Sequence, residues 1–266
     1  MGNSLSIIHE IIENRTLMFT LARNDFRTKF AGSYFGIIWA FVQPIVTILV
    51  YVFVFQIGFG AQPVNGCPYA LWLTAGLVPW FYFSDLLSGG ANTFLDYNYL
   101  VKKVVFQISI LPCVKMMSAL FIHLVFIAAS LLLCIFFGQM PDLYCLQLIY
   151  YAFALTLMGL ALSYLTSSIV VFFRDLSQLI VIILQVGVWL TPIMWRLEIL
   201  PPPLQKVMML NPLYYIVTGY RDALVNKQWF WEHGPLTIYF WAFTLILFML
   251  GARVFSSLKV HFSDVL

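Results

Sequence analysis

From residue 31 to residue 84 the chain carries no charged side chain, a run of 54 positions. About 20 apolar residues of helix suffice to cross a hydrocarbon core about 30 Å thick. The run is therefore too long for one span and fits two joined by a short turn. Residues 58 to 66, a stretch of three glycines, a proline and an asparagine, provide that turn. Only 9% of the 266 residues are charged, 14 Lys and Arg against 11 Asp and Glu. That is too few to coat a soluble globule, a disordered chain or a coiled coil.

The remaining apolar runs give a six-span reading: 35–57, 69–87, 116–137, 146–173, 176–195 and 236–255. Gly138, Pro141 and Asp142 turn the chain between the third and fourth, and Arg174-Asp175 between the fourth and fifth. Basic residues are retained in cytoplasmic loops close to the spans. With both termini cytoplasmic, the inner face holds Arg15, Arg23, Arg27, Lys29, Lys102, Lys103, Lys115, Arg174, Arg253 and Lys259, while Arg196, Lys206, Arg221 and Lys227 share one outer loop. The expected fold is an all-α membrane protein of six transmembrane helices, occupying 1–266 as a single transmembrane domain. Residues 1–33 form a cytoplasmic interface helix, 92–112 a cytoplasmic loop and 196–234 the outer loop.

Two segments are neither span nor simple loop. Ile7, Ile8, Ile11, Ile12 and Met18 share one face of a helix and Glu10, Glu13, Asn14 and Arg15 another, the pattern of an amphipathic helix lying in the interface. In the outer loop, Asn211 followed by Pro212 is a cap and first-turn proline. Leu213, Ile216, Val217, Tyr220 and Leu224 then recur at helical spacing, which predicts a short re-entrant or interfacial helix.

Several chemistries are not supported by the sequence. No glycine precedes a lysine, so the chain has no phosphate-binding loop for ATP. His9-Glu10-Ile11-Ile12-Glu13 has Glu where a zinc-protease helix needs its second histidine, and Cys67, Cys113, Cys134 and Cys145 lack metal-site spacing. The expectation is no catalytic residue, no metal and no cofactor bound by this chain. A net charge of +3 spread over short segments also makes nucleic acid a poor partner. Asp85 and His123 are isolated ionisable groups in or beside apolar runs, and such groups more often pair locally or face a cavity than build a proton relay.

What stands out inside the spans is a set of polar-capable and aromatic side chains. Trp39, Gln43, Pro44 and Thr47 fall together in the first span, Trp72, Pro79 and Trp80 in the second, and Gln185, Trp189, Thr191 and Pro192 in the fifth. An amide inside a span must be hydrogen-bonded or wet. Amides, hydroxyls and aromatic faces along a seam are what a passing sugar chain requires. Gly32 and Gly36, four apart, are of the kind that permits close helix contact.

Four blocks, in order, resemble the membrane subunits of ABC-type polysaccharide exporters, the permeases for O-antigen, teichoic acid and capsule. They are residues 23–44, beginning RNDFRTKFAGSYFGIIW; Tyr99 to Phe106, YLVKKVVF; FFRDL at 172–176; and LNPLYY at 210–215 with Tyr220-Arg221. Where the family usually continues with a Pro-Arg pair, this chain has Gln107-Ile108. The resemblance implies a homodimer working with two copies of a separate nucleotide-binding ATPase subunit, which would bind the ATP and Mg. It implies a lipid-linked polysaccharide moved outward across the cytoplasmic membrane of a bacterium, with 92–112 as the coupling loop. On this reading Arg23, Arg27 and Lys29 receive the substrate headgroup; Phe35, Trp39, Gln43, Thr47, Trp80, Gln185 and Trp189 line the channel; and Asp25, Asp96, Lys102 and Lys103 face the ATPase. The rival readings are an exporter of a lipid or drug from the same broad class, and an ATP-independent channel or carrier.

Overall fold

The computed structural model describes residues 9–30, 32–103 and 106–266. Ile7 and Ile8 of the expected amphipathic face, Ala31, and Val104 and Val105 lie outside the described residues. Regular structure among the described residues is helical, with one isolated bridge between Val64 and Cys67. Helix is what an apolar chain must form where no water can satisfy its backbone groups.

The long elements are α1 (Arg15–Thr28), α2 (Trp39–Val52), α3 (Tyr69–Ala91), α4 (Leu111–Phe136), α5 (Gln147–Val170), α6 (Leu176–Leu190), α7 (Pro202–Met209), α8 (Pro212–Arg221) and α9 (Gly234–Leu258). Five helical stretches are long and apolar enough to cross a membrane: Gly36–Gly58, Tyr69–Ala91, Ile108–Phe136, Leu143–Val170 and Phe230–Val265. The predicted fifth span, 176–195, contains a helix of only 15 residues, about 22 Å long at 1.5 Å per residue. Pro192 is the reason it stops: the residue before a proline is pushed out of the helical region, and Thr191 is extended.

The bundle is built around α3, which touches α2, α4, α5, α6 and α8, while α5 packs along both α3 and α9. Small residues set these approaches. A Cβ on Gly90 would collide with Ser163, one on Gly159 with Leu86, and one on Gly251 with the backbone of Ala161 and Leu165. Gly32 and Gly36 serve differently from the expected helix contact. Both have positive φ, +88° and +51°, with open space where a Cβ would lie, so they turn the chain between α1 and α2.

Both described ends of the chain meet at one end of the bundle. Ala22 of α1, Phe94, Leu111, Phe255 and Phe262 belong to a single packed cluster, with the Phe94 and Phe262 rings 4.9 Å apart. Ile11 and Met18 pack on it as expected of the amphipathic face, whereas Ile12 is exposed. At the opposite end, the loops after α2, α4 and α8 are joined by Asn65 to Asn226 (2.7 Å) and Lys227 to Asp142 (2.9 Å). There the Asn211 side chain accepts from the Leu213 amide at 3.0 Å, capping α8 as predicted. Leu213, Ile216, Val217, Tyr220 and Leu224 are all buried.

Candidate functional site: two cavities and their ion pairs

The N-terminal helix is fastened to the 92–112 segment at both of its ends. In the turn before α1, Asn14 bonds to Gln107, and Glu10, in the helical residues before that turn, accepts from Ser109. Near the other end, Lys115 in the first turn of α4 reaches Asp25 at 2.8 Å and Asp96 at 2.9 Å, and the Tyr97 hydroxyl donates to Asp25 at 2.7 Å. Burial raises the pKa of Asp25, but the Lys115 ammonium and the Tyr97 hydroxyl outweigh it and hold the carboxyl below its ordinary value. The same burial, with Asp25 alongside, pushes the Tyr97 phenol well up. Asp25 and Asp96, both among the residues expected to face the ATPase, are joined to one another through Lys115. Asp96 keeps about half its side chain in solvent, while Asp25 is almost enclosed. Lys102 and Lys103 are exposed.

The cationic trio expected at the headgroup does not converge. Arg23 and Arg27, four residues apart on α1, are exposed. Lys29 turns the other way and meets Asp85 of α3 at 2.5 Å. Beside this pair lies a cavity of about 650 Å³, lined also by Asp25, Asn92, Asp96, Tyr97 and Lys115. A second cavity of about 400 Å³ runs along α2, lined by Trp39, Gln43 and Thr47 together with Tyr82 and His123.

The predicted channel residues divide into three groups. Trp39, Gln43 and Thr47 share the smaller cavity, and Phe35, exposed, stacks edge-on to Trp39 at 5.9 Å. Trp80 is buried beneath α6, its ring 3.0 Å from where a Cβ on Gly187 would sit. Gln185 and Trp189 lie on the exposed side of α6, Trp189 facing Tyr51 of α2 at 6.2 Å.

Sequence reasoning passed over Lys115 and Tyr97. The available signal for Lys115 was a lone charge at the head of an apolar run, which in such a setting demands a partner. Asp85 and His123 do face a cavity or pair locally: Asp85 with Lys29, and His123 with its Nε2 2.7 Å from the Tyr220 hydroxyl and its ring stacked on Tyr82 at 4.1 Å.

Fold and cavities together define an all-helical membrane protein whose larger polar cavity lies at the end where both described ends of the chain pack. The family follows from comparison: the ABC-2 type transporter model matches residues 16–225, and the chain belongs to that family, as the membrane permease subunit of an exporter. Among curated proteins it is similar to an O-antigen export system permease protein RfbA of Myxococcus xanthus, 26% identical over 98% of this chain and 99% of that protein. It is also similar to two O-antigen export system permease proteins RfbA of Klebsiella pneumoniae, 25% and 24% identical over 94% of this chain and 95% of theirs.

Proposed function

We propose that this chain is the transmembrane subunit of an ATP-driven exporter that carries a lipid-linked polysaccharide outward across the cytoplasmic membrane of a bacterium, as a homodimer with two copies of a separate ATPase subunit. The observation that carries the reading is the similarity, over almost the full length, to proteins named for O-antigen export.

Structural features support its parts. Both described ends of the chain pack in one cluster, which fits an even number of crossings with α6 and its buried continuation Thr191 to Met194 as the sixth. Arg23, Lys102, Arg174 and Lys259, counted as inner by the distribution of Lys and Arg, stand close in sequence to members of that cluster, which supports the reading that both termini are cytoplasmic. The outer faces of α2 and α6 leave Val46, Leu49, Ile182, Ile183 and Val186 exposed, as is Phe53 just past α2, and a second copy would cover them. α7 and α8 would then form a re-entrant pair at the outer mouth.

Deletion of the gene tests the reading directly. Surface polysaccharide is expected to disappear while lipid-linked polymer accumulates inside the cell, with both restored by complementation. Unchanged surface polymer would refute it.

A further inference from the structure

The two cavities meet at one ion pair. Lys29 and Asp85 line both, with Nζ and Oδ1 2.5 Å apart. In the larger cavity three carboxylates, Asp25, Asp85 and Asp96, face two ammonium groups, and Lys115 is committed to two of those carboxylates at once. Lys29 is thus the cation at this junction with a single carboxylate partner.

Three features make the pair displaceable. Its side chains are 38% and 28% exposed, and ion pairs so placed are weakly held. Lys29 is the last cap of α1 and stands three residues before Gly32, whose φ of +88° marks the turn into α2, so a small change at that turn carries Lys29 away from Asp85. Finally, an ammonium is a point charge that binds phosphate oxygens as readily as a carboxylate.

We propose that the Lys29–Asp85 ion pair is a latch between the two cavities, opened when the phosphate-bearing headgroup of the lipid-linked cargo replaces Asp85 on Lys29. Asp85, once released, accepts sugar hydroxyls at the mouth of the smaller cavity, where Trp39 offers a ring face and Gln43 and Thr47 offer hydrogen-bonding groups. The proposal rests on the export reading and adds to it a named competitor for the anion.

The test measures equilibrium binding of radiolabelled farnesyl diphosphate to the permease–ATPase complex in nanodiscs, with inorganic pyrophosphate as the lipid-free arm. Removing the competing carboxylate by Asp85→Asn is expected to tighten farnesyl diphosphate about fivefold, Asp85→Glu to leave it near wild type, and Lys29→Gln to weaken it at least tenfold. If the pair only staples α1 to α3, Asp85→Asn weakens binding as Lys29→Gln does, and the latch is refuted. Equal tightening of pyrophosphate, with no preference for the prenyl compound, would overturn a lipid headgroup as the natural key. Failure of Asp85→Asn to tighten binding, in a strain whose deletion abolishes surface polymer, refutes the latch alone. Surface polymer that persists after deletion refutes the export reading itself.

Discussion

The guanidinium of Arg221 lies 3.5 Å from the centroid of the Trp72 ring, and its two terminal nitrogens donate to the carbonyls of Pro192 at 2.8 Å and Ile193 at 2.6 Å. The chain has left the helix before Pro192, so the carbonyls of Pro192 and Ile193 have no helical donors. The last residue of α8 satisfies them while stacking on α3, so one buried side chain ties the elbow after α6 to two other helices. Gly76 makes room for it, since a Cβ there would stand 2.9 Å from the guanidinium.

Arg221→Met is therefore expected to cost about 4 kcal/mol, the sum of a desolvated cation–π contact and two orphaned carbonyls. Arg221→Lys should recover only part, because an ammonium cannot serve both carbonyls and the ring in one plane. Gly76→Ala should cost about 1–2 kcal/mol by displacing the guanidinium. Thermal unfolding midpoints in detergent rank the three, and an Arg221→Met protein as stable as wild type would remove this role.

At the other end, the Asp25–Lys115–Asp96 junction should respond to acid. The Asp25 carboxyl is held below its ordinary value of 3.8, so its contribution is complete above that value and is lost as pH falls through the lowered one. Hydrogen exchange of the α1 amides is expected to be flat from pH 7 to pH 5, after correction for intrinsic rates, and to lose protection in more acid solution. In Asp25→Asn the protection should already be reduced at pH 7 and show no such acid step. Lys115→Met, which leaves Asp25 buried without its cation, should cost more than Asp25→Asn, about 3 kcal/mol against about 1–2.

How much of this was legible in the sequence differs by element. The uncharged run 31–84 and its Gly and Pro turn placed two helices because hydropathy and backbone satisfaction are local properties. Asn211-Pro212 and the spacing from Leu213 to Leu224 placed α8 and its buried face for the same reason. The pairings were not legible: nothing local says that Lys29 meets Asp85, 56 positions away, or that Asp25 and Asp96 meet at Lys115. Trp80 and Trp189 looked alike as aromatic residues on a seam, yet α6 covers one and exposes the other, a difference set by Gly187 on the opposing helix.

The exposed faces of α2 and α6 give a third prediction. Single cysteines at Val46 and Ile183 should be shielded from a maleimide delivered from the lipid phase once the complex assembles. Cysteines at Leu132 and Ile246, exposed on α4 and α9, should label at once. Three native cysteines are buried and Cys145 is partly so, so Cys145→Ser gives a quiet background. Labelling of Val46→Cys and Ile183→Cys at the Leu132→Cys rate in the assembled complex would leave that face to lipid, and the second copy would have to pack elsewhere.

His123 links three helices from the middle of the bundle. Its ring lies flat on Tyr82 of α3, its Nε2 meets the Tyr220 hydroxyl of α8, and its Nδ1 has no partner among the described residues. Tyr82 in turn shares a hydrogen bond with Thr156 of α5 at 2.8 Å. A ring with one hydrogen bond and an aromatic neighbour on its face is placed to hold helices in register, and among the described residues no carboxylate bonds to it to carry a proton onward. His123→Gln can still reach Tyr220 but loses the stacking, and should cost about 1 kcal/mol. His123→Ala loses both and leaves a cavity, costing about 3 kcal/mol. Export by His123→Gln, measured as surface polymer per assembled complex, should follow the wild type between pH 6 and pH 8. A change in the shape of that profile would give the imidazole a part in transport that its packing does not.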